Sequence, residues 1–173
     1  QMNLNSPLIT ILITNYNKEK FIASTIQSCK NQSYSNIEII VVDNCSTDDS
    51  IKTISKFKKI KLLLNIKKKT PALNQIKSIE MGVIKAKGEI ICLLDGDDLF
   101  KKKKLEKIAK KFKADLNLKA ICDVPLIYKS TKKIHNFYYD KNRLFQSNIW
   151  PNTFPTSSIS LKKKYLLECI NLF

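Results

Sequence analysis

One repeated pairing constrains this chain more than any other feature. A short run that is apolar on both faces is followed by a longer stretch whose apolar residues recur at helical spacing. The short runs are residues 8–14, 37–42, 60–64 and 90–94. Between them, residues 18–31 place Phe21, Ile22, Ile26 and Cys29 on one side. Ile51, Ile54 and Phe57 mark a second helix, and Leu73, Ile76, Ile79, Val83 and Ile84 a third. Leu105, Ile108, Ala109 and Phe112 mark a fourth. A strand with no polar face must be covered on both sides, and parallel neighbours need helical crossovers. The pattern therefore predicts an α/β fold, a mostly parallel sheet with helices on both faces.

Local signals sharpen the elements. Ser46 or Thr47 can cap the second helix, with Asp48 and Asp49 favourable in its first turn. Pro71 suits the start of the third helix, Gly82 is tolerated inside it, and Gly88 follows its end. After about residue 116 the alternation weakens. Residues 120–124, 126–128 and 157–161 read as further strands, 136–150 as an aromatic and polar stretch, and 162–169 as a last helix.

With 173 residues the chain can bury roughly 70% of its unfolded surface, so no disulfide or metal staple is required. Its longest apolar runs fall far short of the ~20 residues that span a bilayer. Residues 1–7 are polar, which is not a signal-peptide pattern, and Gln1 before Met2 reads as an expression remnant. The net charge is +16, and Arg143 is the only arginine. Proteins that read bases or grip phosphates bidentately spend arginines, so nucleic acid is disfavoured. The lysines form a solvated face that can still attract nucleotide sugars or lipid head groups. Their clusters, 67–69, 101–104 and 162–164, are short. Cys29, Cys45, Cys92, Cys122 and Cys169 are scattered, without a C-x-x-C pair, which suits a reducing cytoplasm better than zinc or a disulfide framework. Cys92 reads as a core residue. His135 is the only histidine, in a polar aromatic stretch that suits the surface.

In an open parallel sheet, ligands bind beyond the carboxyl ends of the strands. The informative residues are therefore Asn15-Tyr16-Asn17, Asp43-Asn44-Cys45-Ser46, Asn65 and Asp95-Gly96-Asp97-Asp98. Three carboxylates in four residues repel one another, and an oxygen-seeking divalent cation relieves that repulsion while bridging to phosphate. Gly96 lets the backbone turn tightly between them. A solvated acidic turn would share this composition; the position directly after residues 90–94 favours metal or nucleotide. Asp43 can accept from a base imide or a ribose hydroxyl, or serve as a turn residue. Tyr16 can stack on a base or pack on the first helix. No G-x-G-x-x-G or Walker sequence follows any strand, which disfavours Rossmann dehydrogenases and P-loop enzymes.

Three segments carry a resemblance. Residues 7–17, PLITILITNYN, resemble the opening strand of family 2 glycosyltransferases with the GT-A fold. Residues 39–48, IIVVDNCSTD, are similar to that family's V-D-D-G-S-x-D segment. Residues 86–98, AKGEIICLLDGDD, are similar to its A-x-G-x-x-x-x-x-L-D-x-D-D segment. They occur in the family's order and together cover about residues 7–112. The resemblance implies a GT-A, Rossmann-like nucleotide-binding sheet. It implies that Thr14, Asn15, Tyr16 and Asn17 line the base pocket, that Asp43 contacts the base, and that Asp95 and Asp97 form the D-x-D. Asp97 is then the leading ligand for Mn²⁺ or Mg²⁺, with Asp95 and Asp98 assisting. Residues 1–115 would be the nucleotide-sugar-binding half, and 116–173 the start of the acceptor-side half.

Asn44-Cys45 stands where Asp-Gly is usual. Ser78-Ile79-Glu80 stands where A-R-N is common, and Lys77 only partly replaces that basic contact. The implied activity is inverting transfer of a sugar from a nucleotide-diphosphate donor, with UDP the expected nucleotide, to a hydroxyl of a glycan or lipid-linked acceptor in surface polysaccharide or lipopolysaccharide synthesis. It would occur in the cytoplasm, with peripheral membrane association at the inner face. The catalytic base is expected beyond Phe173, and Asp123 is an available but weaker candidate. The competing readings are a nucleotidyltransferase on a similar sheet and a lysine-rich module for nucleic acid or anionic membrane.

Overall fold

In a computed structural model of the chain, the described residues are 6–65, 70–129, 132–136 and 155–170. The lysines at 67–69, Arg143, the aromatic stretch from 137 to 150 and residues 171–173 lie outside them.

The strands are β1 (Ile9–Asn15), β2 (Ile37–Asp43), β3 (Lys61–Leu64), β4 (Ile90–Asp95), β5 (Ala120–Cys122), β6 (Leu126–Lys129), β7 (Lys132–Asn136) and β8 (Ile159–Lys162). The helices are α1 (Ile22–Lys30), α2 (Ser50–Ser55), α3 (Pro71–Lys85), α4 (Lys104–Ala114) and α5 (Lys163–Ile170). Among the described residues a six-stranded sheet runs β3-β2-β1-β4-β8-β5, and β6 pairs with β7 as a hairpin. β3, β2, β1 and β4 are mutually parallel, whereas β8 lies antiparallel to β4 and β5. The expected mostly parallel α/β fold is thus present, with one reversed strand, β8, set between β4 and the edge strand β5.

β1 is buried at all seven positions, which explains its lack of a polar face. Its alternate residues serve two cores. Ile9, Ile11 and Ile13 point with Ile39, Val41, Cys92 and Leu94 toward α1, α2 and α4. Leu12 points with Ile40, Val42, Ile91 and Leu93 toward α3 and α5. Each fully buried isoleucine or leucine contributes about 1.5–3 kcal/mol. Gly82 has a packing reason that its sequence does not reveal: a Cβ there would lie 2.2 Å from Leu12 Cδ1. α3 therefore sits directly on the sheet.

Two helix starts differ from the expectation. α1 begins at Ile22, not Lys18, because the Lys18 carbonyl closes a turn with Phe21 and Ile22, while the Lys18 N–H goes to Ser50 Oγ. α2 begins at Ser50, whose N–H is taken by the Asp48 carboxylate. Ser46 and Thr47 do not cap it, because both are engaged at the strand ends.

Candidate functional site

The chain runs from β1 outward to β2 and β3, then returns to β4 on the other side of β1. That reversal makes the β1/β4 junction a topological switch point, where open sheets hold ligands. The parallel register aligns the strand ends. Thr14 sits beside Asp95, Asn15 beside Asp43, and Asp43 beside Leu64. With strands about 4.8 Å apart, the expected site residues of β1, β2 and β4 form one row.

Asp43 organises the middle of that row. It is fully buried, and accepts from Asn15 Nδ2 at 2.7 Å, Ser46 Oγ at 2.7 Å and Ser46 N at 2.8 Å. Ser46 Oγ in turn accepts from Asn17 N at 2.9 Å, and Asn17 Oδ1 accepts from Thr47 N. These bonds knit the loops after β1 and β2 together. Asp43 thus holds the turn after β2 by accepting from both the backbone and the hydroxyl of Ser46.

Cys45 stands at φ 59°, in the left-handed region that favours glycine. This explains why glycine is usual there, and the Cys45 thiol is held by donating to the Asn65 carbonyl. Asn65, expected at the third strand end, also donates to Asn44 Oδ1 at 2.8 Å. Tyr16, by contrast, is 53% exposed at the rim, free to present a ring face.

Asp95 is the inner carboxylate of the acidic loop. Its Oδ1 accepts from Thr14 Oγ1 at 3.0 Å and from Gln75 Nε2 at 3.2 Å. Burial pushes its carboxyl above the usual range; the Thr14 bond opposes this, while Asp98 and Asp97 add to it and Lys18 again opposes. Gly96 does not adopt a positive φ. Its small size is needed for close approach instead, since a Cβ would lie 2.6 Å from Asn15 Oδ1. Its carbonyl accepts from Thr25 Oγ1 and its N–H donates to the Thr14 carbonyl, so the loop is pinned to both α1 and β1.

Asp97 and Asp98 point to different partners. Lys18 Nζ lies 2.5 Å from Asp97 Oδ2, and both side chains are more than a third exposed. Asp98 accepts from Ser157 Oγ at 2.5 Å, and the same oxygen accepts from Asp95 N at 3.0 Å. Because β8 is antiparallel, its entry turn, Thr156–Ser158, arrives at the carboxyl end of β4. Gln75 spans from Asp95 to Thr156 Oγ1.

Among the described residues no three acidic, cysteine or histidine side chains converge into a ready-made metal cage. A divalent cation still fits this donor set. One exposed carboxylate shared with ligand phosphates is a common arrangement for Mg²⁺, and the Lys18 ammonium already places positive charge on Asp97.

Lys18, Gln75, Thr156 and Ser157 lie outside the strand-end positions that the sequence pattern marks. Lys77, the expected partial basic contact, instead pairs with Glu80 on an exposed face. Asp123 is tied to Lys104 at 2.9 Å, and Lys104 also donates to the carbonyl of Ser157, whose hydroxyl meets the acidic loop.

Comparison with known proteins decides the family. The family model described as glycosyl transferase family 2 matches residues 10–170. The chain belongs to glycosyl transferase family 2.

An uncharacterized family relative, a glycosyltransferase from Haemophilus influenzae, is 42% identical over 108 residues, covering 60% of this chain and 42% of its own. TuaG of Bacillus subtilis, assigned by name to teichuronic acid biosynthesis, is 32% identical over 105 residues, covering 58% of this chain and 40% of its own. The chain thus spans less than half the length of these relatives. Among solved structures, S. aureus TarS in complex with UDP has a TM-score of 0.68 at 17% identity, covering 93% of this chain and 48% of that one. The Pyrobaculum calidifontis mannosyltransferase PcManGT, in complex with GDP-Man and Mn²⁺, has a TM-score of 0.61 at 22% identity, covering 70% of this chain and 37% of that one. Both share the fold of this glycosyltransferase-family sheet.

Proposed function

We propose that this family 2 chain is the donor-binding part of an inverting glycosyltransferase. It takes a UDP-sugar with Mn²⁺ or Mg²⁺ and passes the sugar to a hydroxyl of a surface glycan or lipid-linked acceptor on the cytoplasmic side of a membrane. The observation that carries the reading is the row of strand ends at the β1/β4 switch point, with the Asp95–Asp98 loop on one side and the exposed Tyr16 ring on the other. TarS, solved with UDP and with UDP-GlcNAc, supports a uridine donor. PcManGT supports the metal and makes guanine the competing base. TuaG supports a surface polysaccharide.

In this reading Tyr16 stacks on the base, and Thr14, Asn15 and Asn17 shape its rim. Asp43 fixes that rim from beneath. Asp97 faces the diphosphate, aided by Asp98, while Asp95 and its Thr14 and Gln75 bonds hold the loop's inner end. A divalent cation bound there supplies neutralising charge for the departing diphosphate. Lys18, already on Asp97, is placed to meet diphosphate oxygens with its ammonium. The acceptor proton needs a general base. Asp123 is held in an ion pair with Lys104, and we assign the base to the acceptor-side half that begins near residue 116.

Thermal unfolding with UDP, GDP, CDP or ADP, each with and without Mn²⁺, tests this. At a ligand concentration of 100 Kd the gain is about 2.7 kcal/mol. For a chain of this size that is roughly 5–10 °C. UDP with Mn²⁺ should give the largest shift, and Asp97→Ala should remove its metal-dependent part while leaving the unliganded melting temperature nearly unchanged. Indifference to all four nucleotides would refute the proposal.

A further inference from the structure

A second concavity lies at the other end of the sheet. It is a cleft of about 800 Å³ where β1 and β4 begin, closed by the end of α4 and the junction of β8 with α5. It stands about one length of β4, roughly 20 Å, from the acidic loop. Five lysines and one carboxylate, Glu89, line it. It opens at the end of a basic stretch, residues 101–119, which holds nine lysines against two acids.

Most of this charge is not neutralised internally. The described ion pairs engage Lys18, Lys52, Lys77 and Lys104, none of them in the cleft. Lys162 instead donates to the Leu116 carbonyl. Lys87, Lys113 and Lys164 are exposed and make no ion pair with a described residue. Between these ammonium groups the wall is apolar. Phe112 is buried there, and Leu116 is 79% exposed. A leucine left in water among lysines has its match in a surface that offers phosphates outside and hydrocarbon just beneath.

We propose that this cleft and its lysine rim dock the protein on an anionic lipid bilayer. Lys87, Lys113 and Lys164 meet lipid phosphates, and Leu116 enters the interface. A soluble polyanion would use the charge and leave Leu116 without a role; nucleic acid is further disfavoured by the all-lysine rim. Docking through this end leaves the carboxyl ends of the strands open to solvent.

The test is co-sedimentation of the chain with phosphatidylcholine vesicles, with and without phosphatidylglycerol. Binding should require phosphatidylglycerol and fall with salt. Each juxtamembrane lysine is worth about fivefold, so Lys87→Gln, Lys113→Gln and Lys164→Gln together should weaken partitioning roughly 100-fold. Leu116→Ser should weaken it about 10-fold at unchanged charge. The same number of changes at Lys56, Lys58 and Lys59, exposed elsewhere on the chain, should have much less effect. Circular dichroism should show all variants folded, because every substituted side chain is exposed. Equal losses from the two lysine sets, no effect of Leu116→Ser, no vesicle binding, or tighter binding to RNA than to vesicles at the same salt would each overturn the proposal. The donor-site reading is scored separately, since the UDP and Mn²⁺ shift should be unchanged in the cleft variants.

Discussion

Asp43 offers the sharpest test of how the strand-end row is held. Its carboxylate accepts three hydrogen bonds, from Asn15 Nδ2, Ser46 Oγ and Ser46 N, at 2.7, 2.7 and 2.8 Å. Bonds to a charged group contribute about 1.5–3 kcal/mol each, so three set an upper bound of roughly 4.5–9 kcal/mol. Two effects reduce this in Asp43→Ala. The cost of burying a carboxylate, several kcal/mol, is no longer incurred. Asn15 Nδ2 also keeps its bond to Ser46 Oγ at 3.2 Å. What remains is the Ser46 N–H without its acceptor and a small cavity, together about 2–4 kcal/mol.

Asp43→Asn should cost less. Its amide oxygen can still accept from Ser46 N, and its NH₂ can donate to Asn15 if that side chain turns its amide over. Asn15 Oδ1 is buried without a partner among the described residues, so turning it forfeits no bond at that oxygen. The turned NH₂ is then poorly satisfied, which leaves a cost of about 1–2 kcal/mol. Urea unfolding followed by far-ultraviolet circular dichroism reads both values, with an unchanged slope confirming that the native state is the one affected. The expected order is wild type, then Asn, then Ala. An Asn variant no more stable than Ala would refute the donor and acceptor assignment.

Two further outcomes follow from the same row. Cys45→Gly should stabilise the chain by roughly 1 kcal/mol, read as a higher urea midpoint, because the left-handed φ of 59° costs a side-chain residue more than glycine; no gain would mean that the thiol bond to Asn65 outweighs the strain. Asp95→Asn should stabilise at neutral pH. Burial raises the folded-state pKa of Asp95 above its ordinary 3.8, so its favourable contribution is complete below that value and is lost as pH rises through the folded pKa. The gap between variant and wild type should therefore close as pH falls toward 3.8, and a gap that widens on acidification would contradict the burial argument.

The sheet was legible because burial on both faces leaves a mark on composition: a strand such as Ile9–Asn15 has no residue to spare for solvent. The acidic loop was legible because strand ends are where such a sheet exposes chemistry. The supporting residues left no such mark. Gln75 and Lys77 are two residues apart on α3, hence about 200° apart around it, and only packing decides which faces the site. Gln75 reaches Asp95, while Lys77 faces Glu80. Serines and threonines before an apolar run read equally well as helix caps, and Ser46 was drawn to Asp43 instead. Strand direction is also absent from an apolar pattern. Only the antiparallel pairing of β8 with β4 brings Ser157 to the acidic loop, where one hydroxyl accepts from the Asp95 backbone and donates to the Asp98 side chain. The acidic loop is therefore held by a residue that lies beyond the boundary drawn at 116. Asp98 and the Asp95 backbone are thus held from that later segment, while Asp95 and Asp97 are held by Thr14, Gln75 and Lys18, so residues from both sides of the boundary shape one loop.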